Sequence, residues 1–450
     1  MADLDIYKKH LIERFPKEEE GIEDYFQAVE DANHAFQKSF VIKALPLLLA
    51  RALTWTGLHQ FFDGGYSRWA AKSLQEVVED FTDDKELQAV LASNYGDVGT
   101  DPSRAPFVLH AALVYHYRNG AFYPDGGAST IPSKIIKCIS SNGGLVMVSA
   151  KVKRILIDEQ SKVTGVEMYD GTEIKANVVV SDVGLINTVT HLLPSGLVNV
   201  DFDEGGHGAG PNLHPSQTCL SLFVGLQEDP KTLNLPTGIY HIHPSNDLVG
   251  NFEKLQKMSL EEALESDTVE EIMEGETNHL GPIFVNVPST SDGKSTLEIL
   301  AFLPWSWFES YESKYNKETK SHGKEYETIK LRLADKMWKR VVEVFEPTCP
   351  SSLPKGLESI DHYRIGTPLT YSHFLSSEHG SLFGLDHDMK RFEPRTYYLR
   401  LRPKVAEVPG LYLAGQDVTC GGFVPAMMGG LLCAGNVLNV DDPFTLLRKQ

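Results

Sequence analysis

The stretch GLYLAGQDVTCGGFVPAMMGGLLCAGNVL, residues 410–438, constrains the fold more than any other part of the chain. An apolar run at 411–414 reads as a buried strand. Gly415 lets the backbone turn at the strand's carboxyl end, where open α/β sheets bind ligands. Asp417 then offers a carboxylate acceptor suited to ribose or ribityl hydroxyls. Gly421 and Gly422 clear space before a helix that starts near Phe423, and a helix start presents unpaired N–H groups and a positive dipole end. The same residues also describe a tight strand–turn–helix without any ligand. The segment is half of a nucleotide-cofactor site, and the other half has to be sought.

A second glycine turn, FYPDGGAST, contains Gly126 and Gly127 and leads into a helix over about 129–141. Ser129 or Thr130 is placed to cap that helix, Pro132 suits its first turn, and Asn142-Gly143 ends it. Residues 145–184 follow with four or five β runs separated by turn signals such as Asp170-Gly171. The last run, Val178-Val179-Val180, is continuously apolar, as a strand covered on both faces should be. Strand-like runs recur at 217–226, 238–243, 282–288 and 295–304, and 326–345 has apolar residues at helical spacing. These textures divide the chain into a helical part at 1–119, a nucleotide-fold segment at 120–195, a mixed-sheet domain at 196–400 and a closing nucleotide-fold segment at 401–442. The expected class is α/β, with two interleaved domains.

Bulk properties remove several functions. A net charge of -19 argues against nucleic-acid binding, which needs clustered Lys and Arg. The acidic runs at 17–31 and 259–276 read as solvated helix faces. Five cysteines without a C-x-x-C pair suggest reduced thiols, with no zinc ribbon and no disulfide framework. The N-terminus has no apolar signal region, and no window is apolar enough for a transmembrane helix. The nearest approach is FVIKALPLLLARALTW at 40–55, interrupted by Lys43, Pro46 and Arg51. It reads first as a core helix. The alternative is an interfacial helix with Lys43 and Arg51 reaching towards lipid headgroups.

Other catalytic constellations fail. His241 and His243 alternate on one strand and share a face, but a third metal ligand is not evident. His387 stands between Asp386 and Asp388 without a recognisable metal spacing, so no metal site is expected. A G-x-S-x-G elbow is absent, which removes the usual serine hydrolase.

Four separated motifs, HYRNGAFYPDGGASTIPSKI, VVVSDVGLINTVTHLLP, TPLTYSHFLSSEHGSLFGLDHDMKRFEP and the 408–438 segment, together resemble the retinol saturase family. That family belongs to the wider flavoprotein group of phytoene desaturases and carotenoid isomerases. The resemblance runs from about residue 60 to 440 in order and spacing. It implies an FAD-dependent oxidoreductase fold, with a Rossmann-like FAD domain interleaved with a mixed-sheet substrate domain. It also implies reduction of a double bond in a small apolar polyene, a retinoid or carotenoid-like molecule, at the endoplasmic reticulum membrane. NAD or NADP would be a possible electron source. Carried over by position, Gly415, Asp417, Gly422 and Val424 look like contacts to the flavin's ribityl and pyrimidine end. Gly126 and Gly127 look like a turn beside the cofactor, Val152 like a strand position along the adenine, and Ser181-Asp182 like the strand end near the ADP moiety. No proton donor stands out among the Tyr, His and Asp residues of the middle region.

The family pattern also demands strand, G-x-G-x-x-G and helix, with the glycines holding the diphosphate at a helix start. This sequence contains no such element. GGHGAGP at 205–211 fails because Pro211 stands where the third glycine belongs. The ADP-binding βαβ unit is therefore expected to be absent from this chain, and its apolar neighbours to be exposed. Two readings follow: an FAD oxidoreductase, or a non-catalytic lipid-binding or interaction protein that has lost FAD binding.

Overall fold

The computed structural model describes residues 4–198, 213–265, 280–288, 294–318, 321–350, 352–440 and 442–447. The stretch 205–211 and most of the acidic run at 259–276 lie outside them. Ten strands are present among the described residues: β1 (Val152–Ile157), β2 (Val163–Met168), β3 (Glu173–Lys175), β4 (Val179–Ser181), β5 (Thr218–Leu226), β6 (Gly238–Ile242), β7 (Ile283–Val287), β8 (Ser295–Leu303), β9 (His362–Gly366) and β10 (Leu411–Leu413). The chain divides into two compact units. The first comprises 1–72, 107–200 and 393–450, and the second 73–106 and 201–392.

In the first unit the Glu19–Ala44 helix buries Ile22, Tyr25, Val29 and Phe36 along one stripe. It packs on the Phe107–His116 helix, where the Tyr25 hydroxyl meets His110 Nε2 at 2.9 Å. Pro46 ends the long helix by forcing Leu45 into an extended conformation, and a shorter helix restarts at Leu47–Trp55. The core reading of this second piece is corrected by the structure. Leu48 is 79% exposed and Phe61 81%, and Leu49, Trp55, Leu58 and Phe62 are exposed beside them. Among the described residues, too few elements pack on this short helix and the turn after it to cover its apolar side.

Strands β1, β2 and β3 form an antiparallel meander, and β4 pairs in parallel with β10. The expectation that residues 178–180 are covered on both faces also fails. β4 is hydrogen-bonded to β10 alone among the described strands, Val180 is 49% exposed, and Val178 and Val183 are exposed too. The Thr130–Ser141 helix buries none of its residues and leaves Ile135, Ile136 and Ile139 open. Parallel strands are normally sandwiched by helices. Among the described residues these apolar side chains of β4 and of the Thr130–Ser141 helix have no such cover.

The second unit is built on one antiparallel sheet of order β6-β7-β8-β5-β9. Alternation along β5 sends Leu220, Leu222, Val224 and Leu226 to one face, where they are buried, and the Lys324–Phe345 helix, which packs near β5 and β9, buries Ile329, Leu333, Met337 and Val341. Each such side chain contributes roughly 1.5–3 kcal/mol on burial. The Leu74–Phe81 helix opens with a capping box between Ser73 and Glu76.

Candidate flavin site

β4 and β10 run side by side, so their carboxyl ends deliver Ser181-Asp182 and Ala414-Gly415 to the same place. Gly415 has φ 79°, and a Cβ there would collide with the Asp182 carboxylate. Gly429, one helix turn and more into the next element, approaches the Gly415 carbonyl so closely that no side chain fits between them. These two glycines let strand, turn and helix close on one another. Asp417 is buried, and its Oδ2 accepts a hydrogen bond from the Leu185 N–H at 2.7 Å. Ser181 Oγ pairs with Thr188 Oγ1 at 2.7 Å. Burial, and then the neighbouring Asp417 charge, pushes the Asp182 carboxyl above its usual range.

The Phe423–Leu438 helix starts from Gly422, at φ 102°, with no side-chain cap. Its first N–H groups are therefore open to a ligand, and Phe423 and Val424 beside them are exposed. The structure thus brings Ser181, Asp182, Gly415 and Asp417 together, with Gly422 and Val424 following at the helix start. Gly126 and Gly127, both at φ 83°, sit in the turn ahead of the Thr130–Ser141 helix, and Val152 opens β1. They belong to other elements of the same unit.

An uncapped helix start, a buried carboxylate and a glycine-cleared turn fit the flavin end of FAD. Asp417 and the first N–H groups of the 423–438 helix would hold its hydroxyls and pyrimidine edge. The donors for a diphosphate are not supplied by any G-x-G-x-x-G turn of this sequence.

The interfacial alternative for residues 40–55 sent Lys43 towards lipid headgroups, and the structure places it elsewhere. Lys43 is 1% exposed and donates to the Val418 carbonyl, inside the loop just described. Its Nζ lies 3.6 Å from the centroid of the Tyr397 ring. Nothing local in the sequence signals this, because the partners lie more than 350 residues away.

No family model matches the chain. The chain is 31% identical over 457 residues to the all-trans-retinol 13,14-reductase of Danio rerio, covering 98% of this chain and 70% of that protein. The chain belongs to the all-trans-retinol 13,14-reductase family. A second Danio rerio relative, named inactive all-trans-retinol 13,14-reductase, is 27% identical over 98% of this chain and 69% of its own length. Among solved structures, cyclohexylamine oxidase from Brevibacterium oxydans aligns with a TM-score of 0.43 at 13% identity, over 84% of this chain and 69% of that one.

This member of the all-trans-retinol 13,14-reductase family is thus a retinol-saturase-like oxidoreductase of the α/β class. Its second unit holds a buried polar cluster that the sequence had only hinted at. His214 Nε2 lies 3.3 Å from Asp388 Oδ2 and 3.6 Å from Asp386 Oδ2. The three could geometrically hold a cation. Arg104 already supplies positive charge, pairing with Asp386 and, at 3.2 Å, with Asp101. A divalent ion beside that guanidinium would meet repulsion, so the cluster is an ion-pair network that ties 101–104, 213–216 and 385–391 together. His241 lies on β6 and His243 just past its end at Ile242, and both imidazoles reach the Ser93 carbonyl. Burial holds both imidazoles neutral, with pKa values pulled down to about 4, and His243 Nε2 contacts the Ser93 carbonyl at 2.9 Å.

Proposed function

We propose that this protein is an FAD-dependent reductase of a conjugated polyene, a retinoid or a related molecule, working at a membrane surface of the endoplasmic reticulum. The observation that carries this reading is the convergence of Ser181, Asp182, Gly415 and Asp417 at the carboxyl ends of two parallel strands, directly before an uncapped helix start. FAD, when bound, supplies hydride chemistry for adding hydrogen across a carbon–carbon double bond. The chain's own residues bind and orient. Asp417 accepts from hydroxyls, and the N–H groups at 423 and 424 favour negative charge at the flavin's pyrimidine end. The exposed apolar side chains from Leu48 to Phe62 give the protein a face for lipid, from which an apolar substrate can be drawn. The name of its relatives, all-trans-retinol 13,14-reductase, supports retinol as the substrate.

A second reading is a non-catalytic lipid-binding protein. It is favoured by Asp417 already accepting from Leu185 and by the absence of a diphosphate-binding glycine turn in the sequence. Purification in excess FAD separates the two. The chain alone is expected to hold FAD weakly, because the diphosphate's N–H donors are missing. Fusion to a strand–G-x-G-x-x-G–helix unit is expected to give a yellow protein that reduces all-trans-retinol once the flavin is reduced. A fused protein that stays colourless in excess FAD would sink the cofactor reading and leave the lipid-binding one.

A further inference from the structure

Lys43 sits near the carboxyl end of the Glu19–Ala44 helix, three residues before the break at Pro46. A buried ammonium is costly unless its donors find acceptors. Here the donors reach the Val418 carbonyl, and the charge lies over the face of Tyr397. Tyr397 is itself held by stacking on Tyr66, with centroids 5.3 Å apart and planes 19° from parallel. Arg402 secures the same helix end from another direction, donating to the Leu45 carbonyl and, at 3.0 Å, to that of Tyr398.

Val418 is a significant place to pull. It directly follows Asp417, and the hydroxyl of the next residue, Thr419, donates to the Pro425 carbonyl at 2.7 Å. One carbonyl therefore connects the long helix to both halves of the flavin clamp, the carboxylate and the helix start.

We propose that Lys43 is a positioning residue for the cofactor loop: its buried ammonium pins Val418, so that Asp417 and the start of the 423–438 helix are in place before FAD arrives. The proposal rests on the FAD reading above, but the anchoring itself exists without cofactor. Lys43→Met keeps the length and the apolar stem and removes the donor. Because it leaves the buried Val418 carbonyl without that donor, it should lower the melting temperature modestly, with removal of a desolvated charge offsetting part of the loss.

Hydrogen exchange on the cofactor-free chain is the decisive measurement. Amides in 415–423 of Lys43→Met should exchange at least tenfold faster than in the parent, with 107–116 and the whole second unit unchanged. Lys43→Gln, a shorter donor, should fall between the two. In parallel, in the chain fused to a strand–G-x-G-x-x-G–helix unit, the FAD dissociation constant by flavin fluorescence should rise about tenfold in Lys43→Met. Unchanged exchange at 415–423 overturns the proposal. Acceleration spread evenly over the first unit also overturns it, since Lys43 would then be an ordinary core residue. If neither the fused parent nor the fused variant takes up FAD, the cofactor reading fails, while the exchange result still decides the role of Lys43.

Discussion

Asp182 fills the space beside Gly415 that any larger residue would need, and the backbone of Gly415 is held at φ 79°. Both constraints act against substitution. An alanine at 415 would meet the carboxylate and carry a left-handed backbone, so Gly415→Ala should destabilise the first unit by about 2–4 kcal/mol. Urea denaturation compared with the parent measures this. A loss below about 0.5 kcal/mol would mean that the strand end is looser than described.

The Asp417 carboxylate has two tasks, and they can be separated. Asp417→Ala leaves the Leu185 N–H without its buried acceptor, at about 1–3 kcal/mol of stability. In the chain fused to a G-x-G-x-x-G unit it should also weaken FAD binding about ten- to a hundredfold. Asp388→Ala is the control. It strips the partner of His214 and the acceptor of the Arg391 N–H, so it should lower stability too. Its flavin affinity should match the parent's, because Asp388 belongs to the second unit. Equal flavin affinity in Asp417→Ala and the fused parent would show that the 410–438 segment is not the flavin clamp.

The difference between these sites shows what a sequence can carry. Gly415, Gly422 and the 423 helix were legible because turn chemistry is local: the strand, the turn and the helix start each need their residues within a few positions. The exposure of Val180 was foreseeable only by noticing that a partner element was missing, and the apolar run 178–180 on its own implied the opposite. Lys43 was illegible. Whether a lysine is buried depends on the surface it is offered, here Val418 and Tyr397, brought to it from the far end of the chain. The His214 cluster was half legible, since Asp386 and Asp388 adjoin His387, yet the fold pairs them with His214 and Arg104 instead.

Three imidazoles, buried His387 and half-buried His241 and His243, shape the acid limb of stability. Burial pulls His241 and His243 down to about 4, and burial with the Arg391 charge holds His387 well below its usual value. Their folded pKa values lie below the unfolded value of about 6.5. The folded state therefore binds fewer protons, and the stability they contribute is present above about pH 6.5 and is lost as pH falls towards 4. His214 acts oppositely. Burial alone would lower it, but the hydrogen bond to Asp388 and the charges of Asp386 and Asp388 outweigh that and raise it. Its contribution is complete below about pH 6.5 and fades as pH rises through the raised value. Thermal unfolding from pH 4 to 9 should show a maximum near neutrality. His243→Phe should flatten the acid limb by up to about 1.4 kcal/mol per pH unit, and His214→Leu should flatten the alkaline side. An acid limb unchanged in His243→Phe would mean that His243 does not stay neutral in the fold.

The apolar face at 47–62 yields the final prediction, and the buried position of Lys43 sharpens it. Trp55, Phe61, Phe62 and Leu48 are exposed on consecutive elements, and the Arg51 guanidinium lies 5.7 Å from the centroid of the Trp55 ring. With a net charge of -19, attraction to anionic headgroups cannot supply the binding energy. Apolar insertion must do so, at about 1.5–3 kcal/mol for each large side chain fully buried. Vesicles of neutral phosphatidylcholine should therefore float the protein, with little response to salt. Replacing Leu48, Trp55 and Phe61 together by Ser should weaken binding on the order of a hundredfold, because three partly inserted side chains lose their burial. Lys43→Met should bind as well as the parent, since its ammonium is spent on Val418 and never reaches the lipid. Full flotation of the triple variant, or loss of flotation in Lys43→Met, would overturn the assignment of this face to the membrane.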